Sequence, residues 1–378
     1  MHRSILAVCL GALAFGIPAI TQQSVGEKPG TAPVGTKAAP SQAAQQTGQQ
    51  AGKAQEQDTQ DSGLKFTATP TEVIVPVTVT DVHGKFLSDL EANDFRILDE
   101  GRSQKIRFFS HDQRQPIVIG FLLDMSASTR THWKTFQDAI MEMVWGILPG
   151  DPRYTGYLIT YSTEAELAIN TTPDADKITD KIRTLRPGGN AALFDAIYRA
   201  CTDRKLVPGE PYEPRRVIVI MGDGHDTSSK KSFGQVLELA QRNLVTIYAI
   251  STQNFGFDNP DKDVLERFAA ETGGRVEYPL DNLYKDVSGY LSHPTDEGNY
   301  VYTPGTGGYA AEISKGIIKA VGGISGDITQ QYVMRYIPDI APGDTREYRH
   351  IKVTVPSLPN VNIRTKTGYW IAPVHQKQ

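Results

Sequence analysis

The chain has 378 residues, with 39 Lys and Arg against 43 Asp and Glu, so its formal net charge is −4. Because there is no basic excess to hold a phosphate backbone, we expect no nucleic-acid partner. A hydrophobic content of 39% and a charged content of 22% are ordinary for a soluble globular protein. The length fits one large domain or two smaller ones.

The first 21 residues have the pattern of a secretory signal peptide. His2 and Arg3 precede an apolar run over 5–20, and small or polar residues follow it. Such a run is too short to span a membrane comfortably. We therefore predict a signal peptide over 1–21 and an exported protein in the periplasm, the cell envelope or the extracellular space. An uncleaved anchor is the alternative, and no later segment is apolar enough to predict a transmembrane span.

A polar segment follows the predicted signal peptide. Residues 22–63 are rich in Gln, Ala, Gly, Thr, Pro and Ser, and their only large aliphatic residues are Val25 and Val34. This composition cannot bury enough apolar surface to offset the entropy that is lost on ordering. We predict a disordered linker here.

Residues 64–112 are predicted to form a β-rich N-terminal segment. Valine recurs at every second position over 73–79, which is the period of a β-strand. Pro76 lies within this strand and cannot donate to a ladder, so it predicts an edge position. Further strands are expected near 95–98 and 106–109, after turn-forming residues.

Residues 113–292 alternate between apolar strands and amphipathic helices. The continuous apolar run at 117–123 is typical of a strand that is buried on both faces. The other predicted strands lie at 156–161, 165–169, 217–221 and 245–250. Helices are predicted along the apolar stripe at 136–147, at 174–184, at 193–203, after Ser232, after Asn259-Pro260 and at 281–291. This alternation predicts an α/β domain with a central, mostly parallel sheet flanked by helices.

The last part of the chain turns back to a β pattern. Residues 293–325 are predicted to be a connecting segment with a helix at 309–321, and residues 326–373 a β-rich C-terminal segment. Because both flanks of the α/β domain are β-rich, we predict a small β-sandwich built from the N- and C-terminal strands. The α/β domain is inserted into this sandwich or flanked by it, and two separate β-modules are the alternative.

Polar side chains follow two of the predicted buried strands. The first of these strands runs directly into Asp124, Ser126 and Ser128, and the strand at 217–221 is followed closely by Asp223. Because ligands of an open parallel sheet bind outside the carboxyl ends of its strands, these side chains are expected at one edge. Carboxylate and hydroxyl oxygens suit Mg²⁺ or another oxygen-preferring divalent cation. The four residues are therefore the predicted metal site, and we predict no catalytic residue.

This arrangement resembles the von Willebrand factor type A (VWA) domain, which has a Rossmann-like fold, and more closely the secreted bacterial proteins described as VWFA-related. The metal-ion-dependent adhesion site (MIDAS) of VWA domains has a DxSxS loop, a Thr on a separate loop and an Asp after a later strand. The resemblance covers roughly residues 66–372. Its matching segments are 75–81, 94–95, 99–101, 106–110, 124–128, 217–229, 271–274, 332–336 and 368–370.

The resemblance implies a non-enzymatic protein that binds a protein partner through Mg²⁺, with a Glu or Asp of the partner completing the coordination shell. One segment departs from the family pattern. Family members commonly read GGxTALYDA at the loop that supplies the Thr, whereas residues 188–196 read GGNAALFDA. Ala191 occupies the Thr position and has no side-chain oxygen, and the neighbouring Asn190 is offset by one residue. The predicted metal site therefore lacks one ligand.

Other polar residues near the predicted site have structural interpretations. Asp124 could be a carboxylate that caps the following helix. Asp195 is expected to be a buried structural carboxylate near the start of a helix. Residues 226–229 are expected to cap the next helix along the chain, and catalysis by His225 with Asp226 is disfavoured.

Three functions are compatible with the sequence. The leading hypothesis is an adhesion-type, divalent-dependent protein-binding domain. The second is a VWA scaffold module that binds without metal, which Ala191 favours. An exported hydrolase is disfavoured, because a DxDxT loop needs a second Asp where Ser126 stands and no GxSxG, HExxH or Walker motif is present.

Overall fold

The computed structural model describes residues 72–111, 115–203, 205–206, 214–253, 262–279, 307–341 and 343–371. The predicted signal peptide, the linker at 22–63, Asn259-Pro260 and the helix at 281–291 lie outside these ranges. Within the ranges that the structure describes, no helix combines the length and apolar character needed to cross a membrane.

The secondary structure follows the apolar periodicities of the sequence. The strands are β1 (Val73–Thr80), β2 (Arg96–Asp99), β3 (Arg102–Gln104), β4 (Phe108–Ser110), β5 (Ile117–Asp124), β6 (Tyr154–Tyr161), β7 (Ala165–Thr172), β8 (Arg215–Gly222), β9 (Val245–Ser251), β10 (Val276–Glu277), β11 (Tyr332–Tyr336), β12 (Tyr348–Thr354), β13 (Asn362–Thr365) and β14 (Gly368–Trp370). The α-helices are α1 (Trp133–Ile147), α2 (Ala175–Thr184), α3 (Leu193–Thr202), α4 (Phe233–Arg242), α5 (Lys262–Thr272) and α6 (Gly307–Thr329). Two 3₁₀ turns, Ala92–Asp94 and Ala127–His132, precede β2 and α1.

The central sheet has six strands in the order β10-β9-β8-β5-β6-β7. Neighbouring strands are parallel except for β7, which runs antiparallel to β6. Every residue of β5 and β9 is buried, because helices α1, α2 and α6 cover one face and α3, α4 and α5 cover the other. Continuous apolar strands require this double cover. The predicted α/β fold with a mostly parallel sheet is confirmed.

Helix α6 is longer than the sequence predicted. The prediction placed its end at residue 321, but the helix continues to Thr329 and packs against α1. Ile324 and Ile328 extend its buried stripe. Gly323 lies against Arg275, whose Nη2 would be 2.3 Å from a Cβ at this position. The glycine, which weakens the helical pattern in the sequence, leaves space for the Arg275 guanidinium beside α6.

Two four-stranded sheets form the β-sandwich, in the orders β13-β1-β11-β4 and β14-β12-β2-β3. Each sheet combines strands from both flanks of the α/β domain, since β1 pairs with β11 and β13 while β2 pairs with β12. The alternate valines of β1 are buried between the sheets together with Tyr332 and Tyr336. The prediction of a sandwich built from N- and C-terminal strands is confirmed, and the described residues do not form two separate β-modules.

The predicted edge position of β1 is wrong. β1 lies inside its sheet, between β13 and β11, and Pro76 is in register with Val333 of β11. The Pro76 carbonyl accepts a hydrogen bond from the Thr365 hydroxyl at 2.7 Å, so its backbone polar groups point toward β13. The ladder with β13 begins only at Val77. Proline has no N–H to donate. Because the ladder with β13 begins only at the next residue, the sheet loses no hydrogen bond at Pro76.

Candidate functional site

The candidate site lies where the connections of the central sheet change direction. From β5 the chain proceeds to β6 and β7 on one side and then crosses to β8 on the other side of β5. The carboxyl ends of β5 and β8 therefore flank the topological switch point, where open α/β sheets bind ligands. β5 ends at Asp124, and β8 ends at Gly222, which precedes Asp223. The structure brings together the two strand ends that the sequence singled out.

The loop after β5 is held by its own hydrogen bonds. The Ser126 N–H donates to Asp124 Oδ1 at 2.7 Å, and the hydroxyls of Ser126 and Ser128 lie 2.8 Å apart. The Thr129 hydroxyl lies within bonding distance of the Asp124 and Ser126 carbonyls, at 3.2 and 3.0 Å. The three side chains of the DxSxS motif are thus held together at the start of the 3₁₀ segment, which includes Ser128.

Asp124 is a completely buried carboxylate with one oxygen left over. Its Oδ2 has no hydrogen-bond partner of acceptable geometry in the described part of the chain. Burial, together with the charge of Asp223, raises the pKa of Asp124 to about 7 against the opposing effect of hydrogen bonds from Ser126 and from the Asp223 backbone. A buried, unpartnered oxygen is costly. A ligand bound at the sheet edge would supply the partner that Asp124 Oδ2 lacks.

Asp223 lies on the neighbouring strand end and is half-buried. Its Oδ1 accepts a hydrogen bond from the His225 N–H at 2.9 Å, which fixes the turn after β8. Gly224 in this turn has φ +85°, a conformation that favours glycine. The second predicted carboxylate is therefore at the same edge as Asp124, close enough to affect its ionisation.

Tyr161 is a residue of this edge that the sequence reasoning missed. It ends β6 in register with Asp124, and its completely buried hydroxyl has no hydrogen-bond partner among the residues described. Burial, followed by the charges of Asp124 and Asp223, raises the pKa of this hydroxyl well above its usual value. The signal in the sequence was a tyrosine at the end of a buried strand beside the Asp124 strand. The Tyr161 hydroxyl is therefore a second buried polar group at the site with no hydrogen-bond partner among the described residues.

Gly222 allows these groups to approach each other. A Cβ at this position would lie 2.4 Å from the Tyr161 hydroxyl oxygen, 2.9 Å from the Asp124 Cβ and 3.0 Å from Asp124 Oδ2. Close packing of the three strand ends therefore requires a glycine at this position.

The loop that contains Ala191 is attached directly to the DxSxS loop. The Gly188 N–H donates to the Met125 carbonyl at 2.6 Å, and the Ala127 N–H donates to the Gly189 carbonyl at 3.1 Å. Ala191 itself is buried, and its N–H donates to the Thr227 hydroxyl at 3.0 Å. The third loop of the predicted site is therefore in place, but its buried residue contributes a methyl group instead of an oxygen.

The predicted helix cap at residues 226–229 is wrong. Helix α4 is capped by Ser232, whose side chain and that of Gln235 form a capping box. Asp226 instead accepts from the Phe194 N–H of α3 at 2.9 Å and from the Ser229 hydroxyl at 2.6 Å. Sequence proximity had suggested the adjacent helix, whereas the tertiary fold places this loop against the start of α3.

Asp195 has a structural role at the same contact. Its carboxylate is partly buried and accepts from the N–H groups of Lys230 and Lys231 at 3.0–3.1 Å. Its own N–H donates to the Ser229 hydroxyl at 3.0 Å. These reciprocal bonds fasten the loop after β8 to α3, and through α3 they stabilise the position of the Ala191 loop.

The oxygens at this edge fit a hard divalent cation. Asp124 offers an unpartnered carboxylate oxygen, Ser126 and Ser128 offer adjacent hydroxyls, and Asp223 offers a second carboxylate. No cluster of three or more His, Cys, Asp or Glu side chains placed for a metal occurs in the described ranges. A cation here would therefore depend on hydroxyl groups and water as well as on the two carboxylates.

Comparison with known protein families agrees with this fold. Residues 119–285 match the von Willebrand factor type A domain family. This segment extends from β5 past β10 and contains all four predicted site residues. The chain therefore contains a von Willebrand factor type A domain. No curated protein sequence matches the chain.

Solved structures that match the chain share little sequence with it. An aerotolerance-related membrane protein from Bacteroides fragilis is 14% identical, with 42% of this chain and 90% of that chain covered at a TM-score of 0.35. The PilB minor pilin from Streptococcus sanguinis is 12% identical, with 61% and 64% covered at 0.39. A von Willebrand factor type A protein from Catenulispora acidiphila is 11% identical, with 81% and 75% covered at 0.38.

Proposed function

We propose that the chain is an exported, non-enzymatic protein-interaction module whose partner binds at the edge formed by Asp124, Ser126, Ser128 and Asp223. In this mechanism the four residues hold a divalent cation such as Mg²⁺, and a carboxylate of the partner protein completes its coordination. The observation that carries the proposal is the buried, unpartnered Oδ2 of Asp124 at the switch point of the sheet. Export rests on the signal-like pattern over 1–21.

The electrostatics of the edge favour a cation. Asp124 is buried with no counter-charge from the residues that the structure describes, and the neighbouring Asp223 disfavours its ionised form. A divalent cation supplies the positive charge that both carboxylates lack. The same charge changes the edge from one that repels a carboxylate on a partner protein to one that attracts it.

Each residue of the edge has a distinct role in the proposed site. The carboxylates of Asp124 and Asp223 supply charge, and the paired hydroxyls of Ser126 and Ser128 supply neutral oxygens. Ala191 supplies none, so water takes the position that a Thr hydroxyl would fill. Because Mg²⁺ readily keeps part of its water shell, this loss weakens the site without abolishing it.

Calorimetric titration of the full chain with MgCl₂ tests the cation site. We expect binding by the wild-type protein, no binding by Asp124→Asn, and about tenfold tighter binding by Ala191→Thr, which restores one oxygen contact. Asp138→Asn is the matched control. It makes the same chemical change at an exposed aspartate that pairs with Lys134, outside the proposed cation site. Equal heats from wild type and Asp124→Asn would contradict the proposed cation site.

A metal-independent interaction module is the second candidate, and the buried Ala191 methyl is the observation that favours it. If neither the wild-type chain nor Ala191→Thr binds Mg²⁺ or Mn²⁺, the cation mechanism fails and this candidate replaces it. In that case a partner should bind equally well in the presence and in the absence of a chelator.

A further inference from the structure

A second candidate site lies where the VWA domain meets the β-sandwich. A cleft of about 580 Å³ opens between the C-terminal end of α5 and strands β12 and β13. Cavities of this size accommodate small organic ligands. Four of its lining residues are cationic and one is acidic, namely Arg275, Lys352, Arg364, Lys366 and Glu266. The wall therefore carries an excess of positive charge.

The cleft wall is held in place by a close backbone contact. Thr272 at the end of α5 forms an isolated antiparallel bridge with Lys366. The next residue, Gly273, has φ +89°, and a Cβ there would lie 2.8 Å from the Lys366 backbone nitrogen. Only glycine allows this turn to meet the segment between β13 and β14. The position of Lys366 is thus determined by both domains.

Lys366 is a buried cation without a counter-ion. It is 5% exposed, and neither a hydrogen bond nor an ion pair reaches its Nζ from the described residues. Its ammonium lies over the Tyr369 ring, at 5.8 Å from the ring centroid. The one carboxylate of the cleft wall, Glu266, accepts from the Tyr278 hydroxyl at 2.9 Å instead. Burial lowers the pKa of Lys366 to about 7.

The two arginines of the cleft share a buried carboxylate. Arg275 Nε and Arg364 Nη2 lie 2.9 and 2.6 Å from the same oxygen of Asp327, a residue of α6. Arg275 also pairs with Glu277 at 3.0 Å. The Nε of Arg364 is buried and has no hydrogen-bond partner within the described chain. Two unpartnered donors, on Arg364 and Lys366, therefore belong to the wall of one cleft.

We propose that this cleft binds a small organic molecule bearing an oxyanion, a carboxylate or a phosphate group, with Lys366 as its main anchor. An oxyanion supplies the acceptors that Lys366 and Arg364 lack. The apolar residues of the wall, Ala269, Ile351, Val353 and Ile363, suit the uncharged part of such a ligand. The site is separate from the Asp124 edge and does not depend on the function proposed there.

Inorganic phosphate and acetate are the probes for this site. Each is titrated into the full-length chain by calorimetry at constant ionic strength, so that the two oxyanions are distinguished. We expect one of them to bind and its affinity to fall about tenfold or more in Lys366→Met, which removes a charge-assisted hydrogen bond. Lys134→Met, at an exposed position outside the cleft, is the control and should bind as the wild type does.

The results of these titrations distinguish a specific anion site at Lys366 from nonspecific binding of salt. Equal affinity in wild type and Lys366→Met, or no binding of either anion to the wild-type chain, overturns the proposal. If Lys366→Met does not fold, the Nζ resonance of Lys366 in the wild-type protein is followed by NMR. A shift of that resonance on adding the bound anion supports the site, and an unchanged resonance contradicts it.

Discussion

Two aspartates of this protein are completely buried but have different surroundings. Asp99, in the sandwich, has both oxygens bonded: Oδ1 accepts from Arg349 Nε at 2.9 Å, and Oδ2 accepts from the Tyr336 and Tyr369 hydroxyls at 2.8 and 2.9 Å. Asp124, at the sheet edge, accepts from one backbone N–H and has its other oxygen unpartnered among the described residues. The two carboxylates are therefore equally buried. They differ in their hydrogen bonds, because both oxygens of Asp99 have partners and only one oxygen of Asp124 has one among the described residues.

This difference in hydrogen bonding identifies Asp99 as a structural carboxylate and Asp124 as a candidate ligand. A buried charge with a full set of partners connects the elements that supply them, and Asp99 joins β2 to β11, β12 and β14 in this way. A buried charge with an unmade bond destabilises the fold unless a bound group completes it. Four substitutions test this contrast, in order of decreasing effect on stability.

The largest effect is expected when the cation beside Asp99 is removed. Arg349→Met leaves that carboxylate buried without a counter-charge, and we expect a loss of about 3–5 kcal/mol in the free energy of unfolding. Urea denaturation measures it. Arg346→Met is the control, because Arg346 is half-exposed and its loss should stay below about 1 kcal/mol. Similar losses in the two variants would refute the structural role of the Asp99 pair.

Gly222→Ala tests the packing beside Asp124. Its new methyl group would overlap the Tyr161 hydroxyl and the Asp124 side chain, so we expect a loss of about 1–3 kcal/mol. Gly234→Ala is the control, since a Cβ at that position of α4 meets nothing within 4 Å. Thermal unfolding distinguishes them. An unchanged melting temperature for Gly222→Ala would show that the strand ends are less closely packed than described.

Lys366 extends the comparison to an unpartnered cation. Burial lowers its pKa from 10.5 to about 7, so between those values the unfolded chain binds more protons than the folded chain does. Its contribution to stability therefore rises with pH over this window, by about 1 kcal/mol per unit. The charged residues Arg275, Lys352, Arg364 and Glu266 line the same cleft, and the Tyr369 ring centroid lies 5.8 Å from the Lys366 ammonium.

The pH effect is measured as a difference between two proteins. Urea denaturation of wild type and Lys366→Met at pH 7 and pH 9 cancels the groups that titrate in both chains. The wild type should gain stability relative to the variant as pH rises. A parallel change in the two proteins would mean that the Lys366 ammonium has a partner in solution.

Asp124→Asn should have the smallest effect on stability, although it abolishes the proposed function. Asparagine keeps the acceptor for the Ser126 N–H and removes an unpartnered buried charge, so without divalent cations the change should stay within about 1 kcal/mol or be stabilising. Millimolar Mg²⁺ should raise the melting temperature of the wild type and leave that of the variant unchanged. A large loss of stability in Mg²⁺-free buffer would place Asp124 with Asp99 as a structural carboxylate.

Part of the candidate site could be predicted because parallel strands end at a common edge. The apolar run of β5 and the later run of β8 were sufficient to predict that Asp124 and Asp223 lie on neighbouring strand ends. The role of Tyr161 could not be predicted, since a tyrosine at the end of a strand is compatible with many environments. The partner of Asp226 was predicted wrongly, because local sequence favoured α4 and the fold placed α3 beside it.

The sequence by itself determined the alternation of helices and strands, the β-rich character of both flanks and the DxSxS loop at a strand end. These follow from apolar periodicity and from strand direction, which are local properties. Only the tertiary structure decided that Pro76 is inside a sheet, that α6 continues to Thr329, that Asp124 has an unpartnered oxygen and that Lys366 is buried. Those properties depend on which distant residues arrive beside each group, and no local pattern records that.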